Sequence, residues 1–170
     1  MKDKNLTTIG STVLVSLCGR EDIPAKVDTG ADSSSIWASH IRVDKDGILK
    51  FRLFGESSPY YNGKVIKRRD FNVAVIRSAT GEEQIRYRVH LPVIINGKKI
   101  RVLFNLSNRS KNNFPILIGR RSLNRKFLVD VSKSAVKRPP LNPRTGPLQK
   151  ELSKDPYMFY KKYSRKGANK

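Results

Sequence analysis

Short runs of apolar and β-branched residues, separated by turn residues, fill most of this chain and constrain its fold more than any other feature. The runs are 13–17, 23–27, 48–54, 65–71, 73–76, 85–95, 100–106, 116–118 and 127–131. Turn residues stand between them at 55–60, at 79–82 and at Asn96 and Gly97. Only 120–124 favours a helical turn. The spacing predicts an all-β barrel or sandwich with one short helix, and a hairpin made by the first two runs.

The composition of the sequence changes at Val136. The residues that follow are basic and polar, include several prolines and cannot bury much apolar area. We therefore expect one domain over 1–135 and a basic, Pro-rich tail over 136–170. The aromatic residues near the end of the tail favour a short helix over 153–163.

The chain is strongly basic, with 35 Lys and Arg against 14 Asp and Glu, a formal net charge of +21. Such a field favours an anionic partner. The single Cys18 excludes an internal disulfide framework and fits a reducing, cytoplasmic compartment. The apolar stretch 9–17 is short and interrupted by polar residues, so we expect no signal peptide. No run approaches the ~20 apolar residues of a membrane span, so we expect no membrane partner.

The segment KVDTGADSSSIWA, residues 26–38, places Asp28 at the end of an apolar run and follows it with Thr29, Gly30 and Ala31. These small residues allow another backbone to approach the carboxylate closely. A buried carboxylate must be compensated, and a second carboxylate across a dimer axis achieves this when the two share one proton. On its own, the tripeptide Asp-Thr-Gly is more typical of an ordinary turn in which the aspartate caps the backbone.

A second segment, FPILIGRRSL at 114–123, is an apolar run that ends in Gly119 and Arg120 before the helical turn. Together the two segments resemble the retropepsins, in which an aspartate-bearing loop is supported by a later strand ending in Ile/Leu-Gly-Arg. The order of the segments and the hairpin between them agree with this resemblance. It implies a retropepsin-like closed β-barrel that is active as a homodimer.

The chain is most similar to a bacterial retropepsin-like family that is often described as ATP-dependent zinc proteases and is associated with ribosomal-protein glutamylation. The resemblance rests on 9–28, the hairpin around Gly81, LSNRSKNNFPILIGR and FLVDVSKS, and it covers 9–134. The sequence has no His-Glu-x-x-His, no spaced Cys and His ligands and no phosphate-binding glycine loop with a lysine. We therefore expect neither a metal nor a cofactor.

The resemblance also implies roles for individual residues. Asp28 is the catalytic carboxylate, Thr29 joins the two active-site loops across the dimer axis, and Gly30 permits their close approach. Asp32 and Arg120 match positions that form an ion pair beside the active site, where we expect them to be largely shielded. The alternative for Asp32 is a residue that stabilises the turn through its own side chain.

The hairpin 75–87 lies where the resemblance places a flap, a segment that closes over substrate and excludes water. Its tip, 79–82, contains Thr80 and a single glycine, Gly81, so a plain surface hairpin is the alternative. Trp37 is better interpreted as a core residue than as a binding platform. Asp130 lacks a second Asp-Thr-Gly context, so the second carboxylate must come from another chain.

These observations predict an aspartic endopeptidase that activates water between two Asp28 carboxylates. The positive charge and the family association favour acidic, glutamate-rich protein tails as substrate. The alternative is a non-catalytic, retropepsin-like module that binds RNA or ribosomes through its basic surface and tail. A peptide-binding domain without turnover is a third possibility.

Overall fold

The computed structural model of the chain describes residues 6–77, 83–137 and 147–164. It separates into two compact units, Met1–Lys137 and Arg138–Lys170. The strands of the first unit are β1 Thr7–Gly10, β2 Thr12–Leu17, β3 Arg20–Asp28, β4 Ser34–Val43, β5 Leu49–Leu53, β6 Val65–Arg68, β7 Asn72–Arg77, β8 Glu83–Ile95, β9 Lys98–Ser107, β10 Ile116–Gly119 and β11 Phe127–Asp130. Its helix is α1 Arg120–Leu123, and the second unit contains α2 Pro147–Lys154 and α3 Pro156–Ser164.

Six strands close into a barrel. Their order is β10-β3-β2-β8-β9-β4, and β4 pairs back onto β10, so the ring has no free edge. β5 and β6 continue the sheet beyond β4, β7 pairs with β8, and β1 forms a separate parallel pair with β11. The predicted all-β closed barrel with a short helix at 120–124 is confirmed, as is the hairpin made by β2 and β3.

The core lies inside this barrel and follows from the alternation of its strands. Along β8, Val89, Leu91, Val93 and Ile95 are buried, and the residues between them point the other way. Burying one such side chain contributes about 1.5–3 kcal/mol. Trp37 packs against this core, in agreement with its interpretation as a core residue.

Strand β4 was not among the expected strands because it begins with the polar residues Ser34 and Ser35. Both are buried, and both hydroxyls are paired. The Ser34 hydroxyl shares a hydrogen bond with Ser122 (2.8 Å), and the Ser35 hydroxyl shares one with Ser107 (2.8 Å). Because these bonds offset the loss of contact with water, a polar strand can close the barrel. β1 was also missed.

The end of the first unit is attached to its second strand. The N–H of Val136 donates to the Thr12 hydroxyl (2.9 Å), and the N–H of Ala135 donates to the Thr12 carbonyl (3.2 Å). The first unit therefore extends to Lys137, two residues past the boundary drawn from composition.

The second unit contains two helices instead of the single helix expected over 153–163. Pro156 lacks a backbone N–H and cannot continue α2, but it suits the first position of a new helix. The Asp155 carboxylate accepts a hydrogen bond from the N–H of Met158 (2.9 Å) and so caps α3. Neither helix, nor α1 in the first unit, is long and apolar enough to cross a bilayer; this holds for the part of the chain that the structure describes.

Candidate active site

Asp28 is the last residue of β3 and lies beside the end of β10. The two strands are parallel, with Val27 opposite Ile118 and Asp28 opposite Gly119. The half-buried Asp28 carboxylate accepts hydrogen bonds through Oδ1 from the N–H groups of Gly30 (3.2 Å) and Ala31 (3.1 Å). The loop that follows Asp28 therefore holds the carboxylate in place.

Gly119 allows β10 to contact that loop. A Cβ atom at Gly119 would lie 2.5 Å from the carbonyl carbon and oxygen of Ser33 and 2.9 Å from the oxygen of Ala31. Directly after it, the N–H of Arg120 donates to the Ala31 carbonyl (2.8 Å). The two segments that carry the retropepsin resemblance are thus joined by backbone contacts that only glycine permits.

Gly30, unlike Gly119, is not closely packed against other parts of the chain. A Cβ atom there would meet only Asp28 Oδ1, at the ordinary contact distance of 3.5 Å. Gly30 and its neighbour Thr29 are both exposed. Of these two glycines, the one that close approach within the chain requires is therefore Gly119.

A polar network supports the loop from behind and was not foreseen from the sequence. The N–H of Gly119 donates to the Ser34 hydroxyl (3.0 Å), and the side-chain amide of Asn105 donates to the Ser33 hydroxyl (2.7 Å). Asn105 and Ser34 are only 2% and 1% exposed. The available signal was the run of serines at 33–35, which follows the motif and precedes apolar residues.

Asp32 and Arg120 form the predicted ion pair, in which Arg120 Nη2 contacts Asp32 Oδ1. Arg121 Nη2 lies 3.7 Å from the other oxygen of the same carboxylate. The expectation that the pair is shielded is wrong for the single chain, because the side chains of Asp32 and Arg120 are 50% and 63% exposed. The pair lies at the rim of the loop, and the chain itself leaves it open to solvent.

The hairpin formed by β7 and β8 is present where a flap was expected, with Arg77 opposite Glu83. Thr80 and Gly81 lie outside the described residues. On one face of the hairpin Ala74, Ile76 and Arg86 are partly buried, and on the other face Val73, Val75 and Ile85 are exposed.

Arg109 lies within electrostatic reach of both Asp28 and Arg86. Burial is the largest influence on the pKa of the Arg109 guanidinium and lowers it; the positive charge of Arg86 lowers it further, and the negative charge of Asp28 raises it. Burial also lowers the pKa of Arg86. Arg109 is anchored through its Nε–H, which donates to the carbonyl of Phe114 (3.1 Å). Sequence reasoning did not identify either arginine, since neither belongs to a motif that specifies its position relative to Asp28.

The residues that the structure describes do not fit a catalytic zinc ion. No three His, Cys, Asp or Glu side chains among them are grouped so that they could hold a metal.

The sequence model of the RimB-like family, described as retropepsin-like aspartic endopeptidase RimB, matches residues 9–140. The chain belongs to this family. The match spans the barrel and both segments that meet at Asp28, and it confirms the resemblance seen in the sequence.

Curated relatives of this RimB-like chain are named probable alpha-L-glutamate ligases. The protein from Shewanella pealeana is 35% identical over 116 residues, which are 66% of the chain and 25% of the relative. The protein from Desulfotalea psychrophila is 28% identical over 156 residues, which are 87% of the chain and 30% of the relative. The chain thus spans about a quarter of the Shewanella relative's length.

Among solved structures, the RimB-like chain is similar to protein Lpg0085 from Legionella pneumophila, whose function is unknown. The TM-score is 0.59 at 24% identity, and the match covers 77% of this chain and 97% of the other. The two proteins share the fold.

Proposed function

We propose that the chain is an aspartic endopeptidase that works as a homodimer, with one Asp28 from each chain at a shared site. The observation that carries the proposal is the junction of β3 and β10, where Gly119 packs against the loop that holds the Asp28 carboxylate. Family membership supports this interpretation of the junction.

One chain supplies one such loop. The other aspartate considered from the sequence, Asp130, is on the separate β1–β11 sheet and has its own partners. Its carboxylate accepts hydrogen bonds from the N–H (3.0 Å) and hydroxyl (2.6 Å) of Ser132 and lies 3.2 Å from the Lys133 ammonium. A second copy of the chain is therefore the better source of the second carboxylate.

In the proposed reaction, the two Asp28 carboxylates share one proton, because like charges a few ångströms apart cannot both ionise freely. The ionised carboxylate accepts a proton from a water molecule as the water oxygen bonds to the scissile carbonyl carbon. The other carboxylate gives its proton to the carbonyl oxygen. The carboxylate that took the proton from water then gives it to the peptide nitrogen, and the C–N bond breaks. The other carboxylate takes back a proton from one hydroxyl of the intermediate, which leaves a carboxylic acid, an amine and one shared proton.

The surroundings of the loop are consistent with a partner at this position. Thr29 and Gly30 are exposed, and the Asp32–Arg120 ion pair beside them is open to solvent. In the proposed dimer, the Thr29 hydroxyl bonds to the facing loop, Gly30 leaves room for that loop, and the partner covers the ion pair.

For the substrate, we propose an acidic, glutamate-rich protein tail. The formal charge of +21 supports this choice, and so do the names of the relatives, which concern glutamate ligation. We place the reaction in the reducing cytoplasm on the basis of the single Cys18. In this proposal the β7–β8 hairpin acts as the flap that covers the bound peptide.

The test is cleavage of a glutamate-rich peptide and a neutral peptide by the unaltered chain and by Asp28→Asn, across pH, with and without a chelator. We expect a bell-shaped pH dependence, no effect of the chelator and no turnover by Asp28→Asn, because asparagine cannot act as the base. Full activity of Asp28→Asn, or a loss with chelator that zinc reverses, would refute the aspartic mechanism.

A second candidate function is supported by the surface of α3. Tyr157 and Tyr160 are 64% and 67% exposed, and the ammonium of Lys161 lies 4.8 Å from the centre of the Tyr157 ring. Exposed aromatic rings among lysines suit stacking with bases and contact with phosphates. A non-catalytic module that binds RNA or ribosomes would show salt-sensitive RNA binding and no peptide cleavage. A peptide-binding domain without turnover would bind the peptide without yielding product.

A further inference from the structure

Two arginines of β8 lie on the face of the strand that borders the Asp28 loop. Arg86 and Arg88 are two residues apart, so their side chains leave the same face of the strand. Arg88 is directly opposite Asn105 on β9, and the Asn105 amide donates to the hydroxyl of Ser33 (2.7 Å). The cross-strand pairing therefore places Arg88 next to the segment that follows Asp28, and Arg86 lies two residues further along the same face.

Arg109 reaches the same region from the connection between β9 and β10. Its Nε–H bond to the Phe114 carbonyl orients the side chain and leaves the two terminal nitrogens of the guanidinium for another partner. Its electrostatic coupling to both Arg86 and Asp28 indicates that the three groups share one environment. The positive charge of Arg109 thus acts on the Asp28 carboxylate, and Arg86 lies within reach of Arg109.

These three arginines are partly buried. Among the ion pairs of the described residues, none involves Arg86, Arg88 or Arg109. Arg86 Nη2 donates to the neutral amide oxygen of Gln84 (2.9 Å), and Arg88 Nε is buried with no hydrogen-bond partner. Removing a charge from water without pairing it is costly, so a carboxylate brought by a ligand would stabilise these arginines.

We propose that Arg86 and Arg109 form a subsite that binds a side-chain carboxylate of the peptide next to the scissile bond. Arg88 adds to the positive field of this subsite. The proposal rests on the function proposed above and identifies the residues that select its substrate. A planar guanidinium suits a carboxylate because it donates two parallel hydrogen bonds.

The subsite also resolves an electrostatic conflict in the proposed reaction. An acidic peptide that approaches an ionised Asp28 is repelled by it, and this repulsion is strongest where water has been excluded. The positive charges of Arg109, which acts on Asp28, and of Arg86, which is within reach of Arg109, offset the repulsion. A neutral peptide leaves them unpaired, so the same residues discriminate against it.

The first experiment measures the binding of a fluorescently labelled glutamate-rich peptide to full-length Asp28→Asn by anisotropy. Adding Arg109→Gln or Arg86→Gln should weaken binding by about tenfold to a hundredfold, the usual effect of losing a hydrogen bond to a charged group. Binding of a glutamine-substituted peptide should not change. The matched control is Arg42→Gln, because Arg42 is exposed and lies on the order of 25 Å along β4 from Ser34.

The second experiment leaves the protein unaltered and changes the peptide, so it does not depend on whether the arginine variants fold. Replacing the glutamates one at a time with glutamine should weaken binding strongly at the position next to the scissile bond. Amidation of the peptide's C-terminus should have no such effect. If amidation alone abolishes binding, the arginines bind a terminal carboxylate and the side-chain subsite is refuted.

Two further outcomes would overturn the subsite. Equal losses for the acidic and neutral peptides would show a structural role for the arginines, and an equal loss in Arg42→Gln would show an effect of net charge alone. Peptide that binds with the predicted arginine dependence but is not cut by the unaltered chain would refute the protease proposal and leave the subsite standing. Cleavage that is unchanged in Arg86→Gln and Arg109→Gln would refute the subsite and leave the protease proposal standing.

Discussion

Replacing Gly119 with alanine tests the junction that positions Asp28. The new Cβ would lie 2.5 Å from two backbone atoms of Ser33 and 2.9 Å from the Ala31 oxygen, where carbon contacts normally require about 3.5 Å or more. The obstacles are backbone atoms, so about 1 Å of movement must be taken up by β10 or by the loop. Such overpacking costs about 1–3 kcal/mol, and the hydrogen bond from Arg120 to Ala31 is strained as well.

We therefore expect Gly119→Ala to lower the free energy of unfolding by about 3 kcal/mol, which for a chain of this size lowers Tm by roughly 6–12 °C. The measurement is denaturant unfolding followed by circular dichroism, with all proteins at one protomer concentration at which they are monomeric. The control is Gly30→Ala, whose Cβ meets only Asp28 Oδ1 at 3.5 Å. It should unfold within about 0.5 kcal/mol of the unaltered chain while losing peptidase activity. A Gly119→Ala protein as stable as Gly30→Ala would refute the steric argument.

Three further predictions address the support of the loop, the pH dependence of stability and the tail. Ser34→Ala should destabilise the fold by about 1–3 kcal/mol in urea unfolding, because it leaves the buried N–H of Gly119 unpaired; no change would mean that water replaces the hydroxyl. The bond from Lys50 lowers the pKa of Asp44 in the folded chain, so its stabilisation is present above the ordinary pKa of an aspartate and is lost as pH falls through the lowered value. Asp44→Asn should thus lower Tm at neutral pH and leave it unchanged in strong acid, and an equal loss at both would contradict this. Removing 138–170 should leave the Tm of the barrel unchanged and weaken binding to RNA, as added salt does, whereas unfolding of the truncated chain would contradict the separation of the two units.

Most strands and the pairing of the two motif-bearing segments could be predicted, because both depend on short stretches of sequence. The apolar runs identify most strands through their alternation, and the segments around Asp28 and Gly119 were identified as partners because each carries a short motif. β4 escaped prediction because Ser34 and Ser35 resemble a loop until the hydroxyls that pair with them are known.

The charged surroundings of the site could not be inferred from the sequence. Arg86 is on β8 and Arg109 follows β9, so the nearness of Arg109 to Arg86 and to Asp28 depends on how the barrel closes. The exposure of Asp32 and Arg120 was mispredicted for a related reason, since a motif indicates which residues meet but not what covers them. Thr80 and Gly81 remain predictions.

A subunit-mixing experiment tests whether two Asp28 carboxylates share one site. A fixed amount of the unaltered chain is incubated with increasing amounts of Asp28→Asn until subunits have exchanged, and cleavage of the glutamate-rich peptide is then measured. If each site needs Asp28 from both chains, mass action predicts that an equal amount of Asp28→Asn reduces activity to about half and a ninefold excess to about a tenth. Activity that stays constant throughout the titration, with subunit exchange verified by differently labelled chains, would contradict the shared site.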